Sequence, residues 1–342
     1  MTPHETLQRT LKRNHQPIGR RPGCGGDGMT SNAELKLLHT VGSGIEVTLG
    51  DKPLMAYTYN PTDVQFESPR PYVHPVYTLG GDLVSLFRPH DHVWHKGIAW
   101  SLPNVGPDNF WGGATYLRDG GYQSLPNNGS MLHTAVVEAT VTAAQAVFSH
   151  DLLWESQSGA GLISERRTLT VNLSETPGAW VLGWSTSMTN VSEAPIVIGS
   201  PTTEGRDNAG YGGLFWRGPR SFTDGTLFSP DGPGGDELRG TRHPWLGLTG
   251  QHDDAGGYSS IVMVDSTENP RHPPQWFARS QMFGCLNPAP FFSEEFTLEP
   301  AATVDFSYAV VIADGAAEGA RANELAAAGQ DVLKGQLVHE HA

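Results

Sequence analysis

Glycine and proline recur so often along this chain, 41 and 25 times in 342 residues, that long helices cannot persist through most of it. Glycine costs a helix backbone entropy, and proline removes a donor and clashes with the preceding turn. Short runs joined by tight turns remain. The runs "HTAVVEATVTAAQAVFSHDLLWES", "LISERRTLTVNL", "AWVLGWSTSMTNVS", "APIVIGSP", "SSIVMVDST" and "TVDFSYAVVIADG" alternate apolar and polar residues or carry β-branched ones, the pattern of antiparallel strands. "LKLLHTVGSGIEVTLGDKPLMAYTYN" reads as a hairpin entering a sheet. Only "AAEGARANELAAAGQDVLKGQ", after the Asp314-Gly315 break, has helical composition. The expected fold class is all-β: one large antiparallel β-sandwich with a short C-terminal helix. Residues 1–33 are polar, Gly-rich and aperiodic, which predicts a flexible tail with Met29 as a candidate start. Residues 34–342 are expected to form a single domain, since no fixed-period repeat or linker divides them.

Charge narrows the partners. Asp and Glu total 36 against 22 Lys and Arg, a formal charge of -14, so the overall field repels a nucleic-acid backbone or an anionic membrane. A neutral polar or cationic small molecule is the expected partner, and oligomeric state stays open. Cys24 and Cys285 lie too far apart to suggest a disulfide framework. No apolar run is long enough to span a bilayer, and "RTLKRNHQPIGRRPGCGGDGM" lacks the apolar core of a signal peptide. The expected location is cytoplasmic.

Candidate chemistry centres on "RPHDHVWHKGIAW", where His90, His92 and His95 stand beside Asp91 and Lys96. Were "HDHVWH" a strand, His90 and His92 would share a face and His95 would fall on the other unless the chain bends after Pro89. Such an H-x-H pair can hold a divalent metal, with a third ligand from another strand. The same imidazoles can instead transfer protons without a metal, since their unperturbed pKa is about 6.5. A purely structural role, satisfying backbone at a strand end, is the bland reading.

Other polar groups can converge on that place. His74 sits in "RPYVHPVYTLGGDL", and "PNVGPDNFWGG" supplies Asp108, Asn109 and Trp111. "SPTTEGRDNAGYGGLFWRGPR" carries Glu204, Arg206 and Asp207 in a long irregular connection beside Tyr211, Phe215 and Trp216, and long loops in compact bodies often bind ligands. Arg279, beside Trp276 and Phe277 in a charge-poor stretch, suggests a bidentate clamp. His252 with Asp253 and Asp254 reads as a turn. Aromatic faces with a few polar anchors suit a sugar, whose C–H faces are apolar and whose rim is hydroxyls.

The succession "RPYVHPVYTLGGDLVSLFRPHDHVWHKGIAWSLPNVGPDNFWGG", "TTEGRDNAGYGGLFWRGPRSF" and "NPRHPPQWFARSQMFGCLNPAPFFSEEFTLEPAATVDFSYAVVIADG" resembles the bacterial family labelled PmoA-like, or "methane oxygenase PmoA", over about residues 36–315. That resemblance implies a soluble protein associated with sugar-related oxidoreductases. Its label, taken literally, implies an oxygen-activating metal site. More distantly, "HVWHKG", the long β body and the closing Pro290, Leu298, Pro300, Tyr308 and Val310 resemble galactose-mutarotase-like supersandwich proteins. This implies histidines and a carboxylate around a sugar ring. The chain departs from that pattern at "CLN", where Asn287 replaces the usual Glu, leaving Glu204 or Glu294 as substitutes.

Together these readings predict a carbohydrate-active enzyme performing histidine-centred cleavage or isomerisation, of hydrolase, lyase or epimerase type. His92 or His95 is the expected acid, with His90 in the same cluster and Glu204 as base or metal ligand. His74, Lys96, Asn109, Trp111, Arg206, Asp207 and Arg279 are the expected substrate contacts. The cofactor is none or one divalent ion on His90 and His92. The alternatives are a non-catalytic sugar-binding module or regulator, and a non-haem metal oxygenase.

Overall fold

In "FSYAVVIA", six residues in a row from Tyr308 to Ala313 are buried, so this strand is covered on both faces. Tyr308, Val310 and Ile312 point into the main core, while Ala309, Val311 and Ala313 point to a second apolar layer. The period-two alternation of strand side chains makes that division. "AWVLGW" behaves alike, with Trp180, Leu182 and Trp184 inward and Ala179 and Val181 outward. The outer layer is covered by the one long helix among the described residues, Ala320–Glu340, through Ala322, Leu325, Ala326 and Leu333. Gly329 permits the close approach, since a Cβ there would meet Val264 at 2.7 Å and Val311 at 3.1 Å.

This arrangement comes from a computed structural model that describes residues 33–253 and 256–340, with side chains as far as Gly335. The chain from Ala33 onward forms one compact unit. Nine strands make the larger sheet, in the order Gly232–Gly234, Thr226–Ser229, Trp245–Gln251, Tyr258–Asp265, Thr303–Asp314, Ala179–Asn190, Gly161–Leu173, Gln145–Glu155 and Ser130–Val141. Seven make the other: Leu35–Thr40, Gly44–Leu49, Lys52–Thr58, Tyr72–Val76, Ile98–Ser101, Gly213–Arg217 and Cys285–Leu286. All strand pairings within both sheets are antiparallel. The all-β sandwich read from the sequence is therefore the observed class. The hairpin expected near the start is a three-strand meander, and the helix is 21 residues long. The expected N-terminal tail with Cys24 and Met29, like Asp254, lies outside the described residues. No helix among the described residues is long and apolar enough to cross a membrane.

The core between the sheets contains a polar knot. Arg167 and Glu165 pair with neither side chain exposed. The carboxylate also accepts from the Trp154 indole and the Thr186 hydroxyl, each at 2.7 Å. Tyr57 joins the knot to His150 at 2.8 Å, and His150 meets His133 at 3.1 Å. Burial, reinforced by the Arg167 and His133 charges, pushes His150 down to about 2. Burial also lowers His74 to about 4.

Because both folded values lie below the ordinary one, the unfolded chain binds more protons than the folded chain below about pH 6.5. Stability is complete above that pH and falls as the solution is acidified toward the folded values. His150 alone contributes a slope of up to about 1.4 kcal/mol per pH unit in that window. Thermal unfolding followed from pH 8 to 4.5 is expected to show this loss, with a shallower fall in His150→Gln, which keeps a polar partner for Tyr57. An unchanged slope in the variant would assign the acid sensitivity elsewhere.

Candidate functional site

The strand Gly213–Arg217 turns Leu214 and Trp216 into the core between the sheets and Phe215 to the opposite face. There Phe215 joins Trp111, Phe277, Phe283 and Phe292, with Trp94 and Tyr211 against them. This aromatic layer surrounds a cavity of about 400 Å³. A larger groove of about 830 Å³ runs beside the start of the helix, but no histidine, arginine or lysine lines it. The chemistry-bearing cavity is the aromatic one.

Its histidines arrive on a turn, not a strand. Phe87 and Lys96 pair as an isolated bridge, and the Arg88 amide donates to the His95 carbonyl at 2.9 Å. Inside this closure the His92 amide donates to Pro89 and the His95 amide to His92, both at 2.9 Å. The second turn brings residues three apart together: the His92 and His95 rings stack with centroids 4.8 Å apart. The strand reading of "HDHVWH" therefore fails, and His90 stands apart. It is exposed, with Nδ1 3.4 Å from Arg220. Among the described residues, no group of three or more His, Cys, Asp or Glu side chains is placed to hold a metal ion. The donor set expected for a divalent ion on His90 and His92 is not assembled among the described residues.

Two devices hold the turn. Arg70, fully buried, donates to the carbonyls of Glu67, Ser68 and Trp94 and to Ser101. The consecutive Gly112 and Gly113, at φ +96° and +74°, let the chain pass under Trp94; a Cβ on Gly113 would lie 2.9 Å from the indole ring. Only glycine adopts such angles without strain.

Of the residues expected from sequence, His92, His95, Trp111, Arg206 and Arg279 line the cavity, as do the aromatics Tyr211, Phe215 and Phe277. The others do not. Lys96 is fully buried and paired with Asp63 at 2.9 Å and with Glu67, whose carboxylate also takes Arg88. It serves the turn, not a ligand. Asn109 is likewise structural, because its Oδ1 accepts the Trp111 and Gly112 amides at 2.8 and 2.9 Å. His74 bonds Ser85 and stacks on Phe87 away from the cavity. Glu204 is half-buried in its own turn and Asp207 is exposed; neither reaches the cavity. Glu294 is exposed as well. Asn287 holds backbone, accepting from Gly212 at 2.9 Å and donating to Leu214 at 3.0 Å.

Sequence reading missed Tyr122, Phe283 and Arg217. The Tyr122 hydroxyl bonds that of Tyr211 at 2.9 Å and the Arg206 guanidinium. Arg217 follows Phe215 on the same strand face, with its guanidinium carbon 3.5 Å from the Phe283 ring centre. It is fully buried, and none of its three guanidinium nitrogens has a hydrogen-bond partner among the described residues. The signal was available: a charge in an otherwise apolar strand, "GLFWR", is an anomaly that asks for a reason.

Burial sets the electrostatics of the two histidines. Burial holds His95 well below the ordinary histidine value, and the charges of Arg217, His92 and Arg70 add to this. His92 is also lowered by burial, although Asp91 opposes the shift. Asp91 Oδ2 lies 3.3 Å from His92 Nδ1 without the alignment of a hydrogen bond. Burial alone would raise Asp91, but the bond from Arg220 leads the influences that bring it down to about 2. Burial lowers Arg217 to about 10. The cavity thus presents neutral imidazoles at pH 7, and His95 Nδ1 has no hydrogen-bond partner among the described residues. A neutral imidazole keeps one ring nitrogen unprotonated, and that nitrogen can accept a proton.

Comparison with curated proteins finds no match. Among solved structures, the chain is similar to the α-galactosidase from Lactobacillus brevis (13% identity over 84% of this chain and 40% of that one, TM-score 0.35). It is also similar to galactose 1-epimerase from Lactobacillus acidophilus NCFM (10% identity, 83% and 100%, TM-score 0.37). A third is a galactose mutarotase-like protein from Clostridium acetobutylicum (11% identity, 82% and 99%, TM-score 0.33). At such values these likenesses assign no activity to this chain. The PmoA-like label is not supported by the family comparison. Residues 44–327 instead match the model of a family of unknown function, DUF6807, and the chain belongs to that family.

Proposed function

We propose that the chain is a carbohydrate-active enzyme that transfers protons on a sugar-derived ligand held in the aromatic cavity, with His95 and His92 as the transferring groups. The observation that carries this reading is the stacked His92–His95 pair lining a small aromatic cavity, with His95 Nδ1 unpartnered. A sugar ring presents an apolar C–H face to Trp111 and its hydroxyl rim to the arginines and imidazoles. Neutral at pH 7, His95 accepts a proton, and His92, stacked on it, is the second group of the exchange. Isomerisation and eliminative cleavage both need this exchange, and both remain within the proposal.

A second reading, a non-catalytic sugar-binding module, is favoured by one fact: no carboxylate lines the cavity to act as the base expected of Glu204. Both readings require binding. Titration of the intrinsic fluorescence with mono- and disaccharides is expected to give a saturable change, since Trp94 and Trp111 line the cavity, and Trp111→Ala is expected to weaken binding about tenfold. A panel that binds equally well to the variant would place the sugar elsewhere.

A further inference from the structure

A chain with 36 acidic side chains against 22 Lys and Arg lines this cavity with two arginines, two histidines and no acid. An acidic protein that concentrates cations in one concavity focuses anions there against its own net field. The arginines are not neutralised locally. Among the described residues, neither Arg206 nor Arg279 meets a carboxylate in an ion pair, whereas Arg88, Arg166, Arg167 and Arg220 each do.

Aromatic faces hold them instead. Arg206 lies 4.8 Å from the Tyr122 ring centre, and Arg279 lies 5.2 Å from that of Phe277 and 5.8 Å from that of Phe283. Stacking fixes the plane of a guanidinium while leaving its N–H edge available. Arg279 Nε is buried without a hydrogen-bond partner, and its Nη1 reaches only the Met282 sulfur at 2.8 Å. The nearby Asp236 is engaged with the backbone amides of Ser280 and Gln281. Behind Phe283 lies Arg217, whose buried guanidinium also has no hydrogen-bond partner. Unpaired buried cations are costly, and a planar anion in the cavity would offset that cost.

We propose that the ligand of this cavity carries a carboxylate, held by Arg279 and Arg206 with Arg217 reinforcing the field from behind Phe283, so that the substrate class is a sugar acid and not a neutral sugar. This rests on the sugar reading above for the word sugar, but not for the word acid. The planar fork of a guanidinium fits a carboxylate through two parallel hydrogen bonds. The imidazoles would then stand over the ring carbons while the arginines fix its acidic end.

The test is calorimetric titration of the full chain with matched pairs, glucose against glucuronate and galactose against galacturonate, together with benzoate and glucose 6-phosphate. At least one uronate is expected to bind about 30-fold or more tighter than its neutral partner. Arg279→Gln should remove most of that preference, weakening the uronate far more than its neutral partner. Arg279→Lys, which keeps the charge but loses the plane, should recover less than half of it on a logarithmic scale. Arg206→Gln, at a more exposed position, provides the same test should the Arg279 variants fail to fold.

Equal binding of both members of each pair overturns the inference and leaves the sugar reading intact. Benzoate binding as tightly as the uronates, with the same arginine dependence, supports the carboxylate site and overturns the sugar reading. Glucose 6-phosphate binding more tightly than glucuronate overturns the carboxylate in favour of general anion binding, and no binding by any probe counts against both.

Discussion

Lys96→Met is expected to destabilise the protein by about 3–5 kcal/mol. Lys96 is enclosed with Asp63 and Glu67 around its ammonium, and Phe87 packs 5.0 Å from it. Burial is the largest influence on Glu67 and would raise its carboxyl, yet the bonds from Arg88 and Lys96 together hold it below the usual range. Removing the lysine leaves Asp63 without an ion pair among the described residues and Glu67 paired with Arg88 alone, and weakly compensated buried charge is what makes broken internal pairs expensive. For a chain of this size the midpoint should fall by roughly 4–7 °C. Thermal unfolding of the variant, with a sugar titration beside it, separates strut from ligand contact. If unfolding is unchanged and only binding is lost, Lys96 faces the ligand after all.

His95→Phe is expected to lower turnover by about two to four decades with little change in affinity. The ring packs against Phe215, Trp111, Phe283 and His92, so phenylalanine, an aromatic side chain one heavy atom larger, preserves most of that packing while removing both nitrogens. His95 is held well below the ordinary histidine value by burial and by the Arg217, His92 and Arg70 charges. Its basic form therefore persists on acidification. The wild-type rate should be flat from about pH 8 to pH 6 and fall only below the unperturbed histidine range of about 6.5. An acid limb centred at or above that value would assign the base to another group. A variant that loses binding and turnover together would make His95 a ligand contact and not a proton carrier.

What the sequence disclosed follows from how local each feature is. The strands at Gly161–Leu173, Ala179–Asn190 and Thr303–Asp314 were legible because alternation and β-branching are written in consecutive residues. Trp111, Arg206 and Arg279 were legible as polar or aromatic residues in irregular, charge-poor loops, and all three reach the cavity. The histidine segment was misread because periodicity alone cannot tell a strand end from a pair of tight turns, and here the turns join His92 to His95 and leave out His90. Lys96 and Asn109 looked like ligand contacts because their partners, Glu67 and Asp63 for one and nearby amides for the other, are fixed only by the tertiary path. Arg217 was passed over although its strand advertised it. A charge among buried apolar neighbours carries more information than one in a loop.

The central claim is that the stacked histidines move protons on a bound sugar. The direct measurement is proton NMR of the full chain with a saturating sugar or sugar acid in D2O, following both ligand signals and deuterium incorporation. The account predicts catalysed change: loss of a ring C–H signal to deuterium, altered anomeric interconversion, or new product resonances, each suppressed in His95→Phe. A ligand that binds in the cavity and is recovered unconverted, undeuterated and with uncatalysed anomeric exchange would contradict it, and would make the chain a binding module.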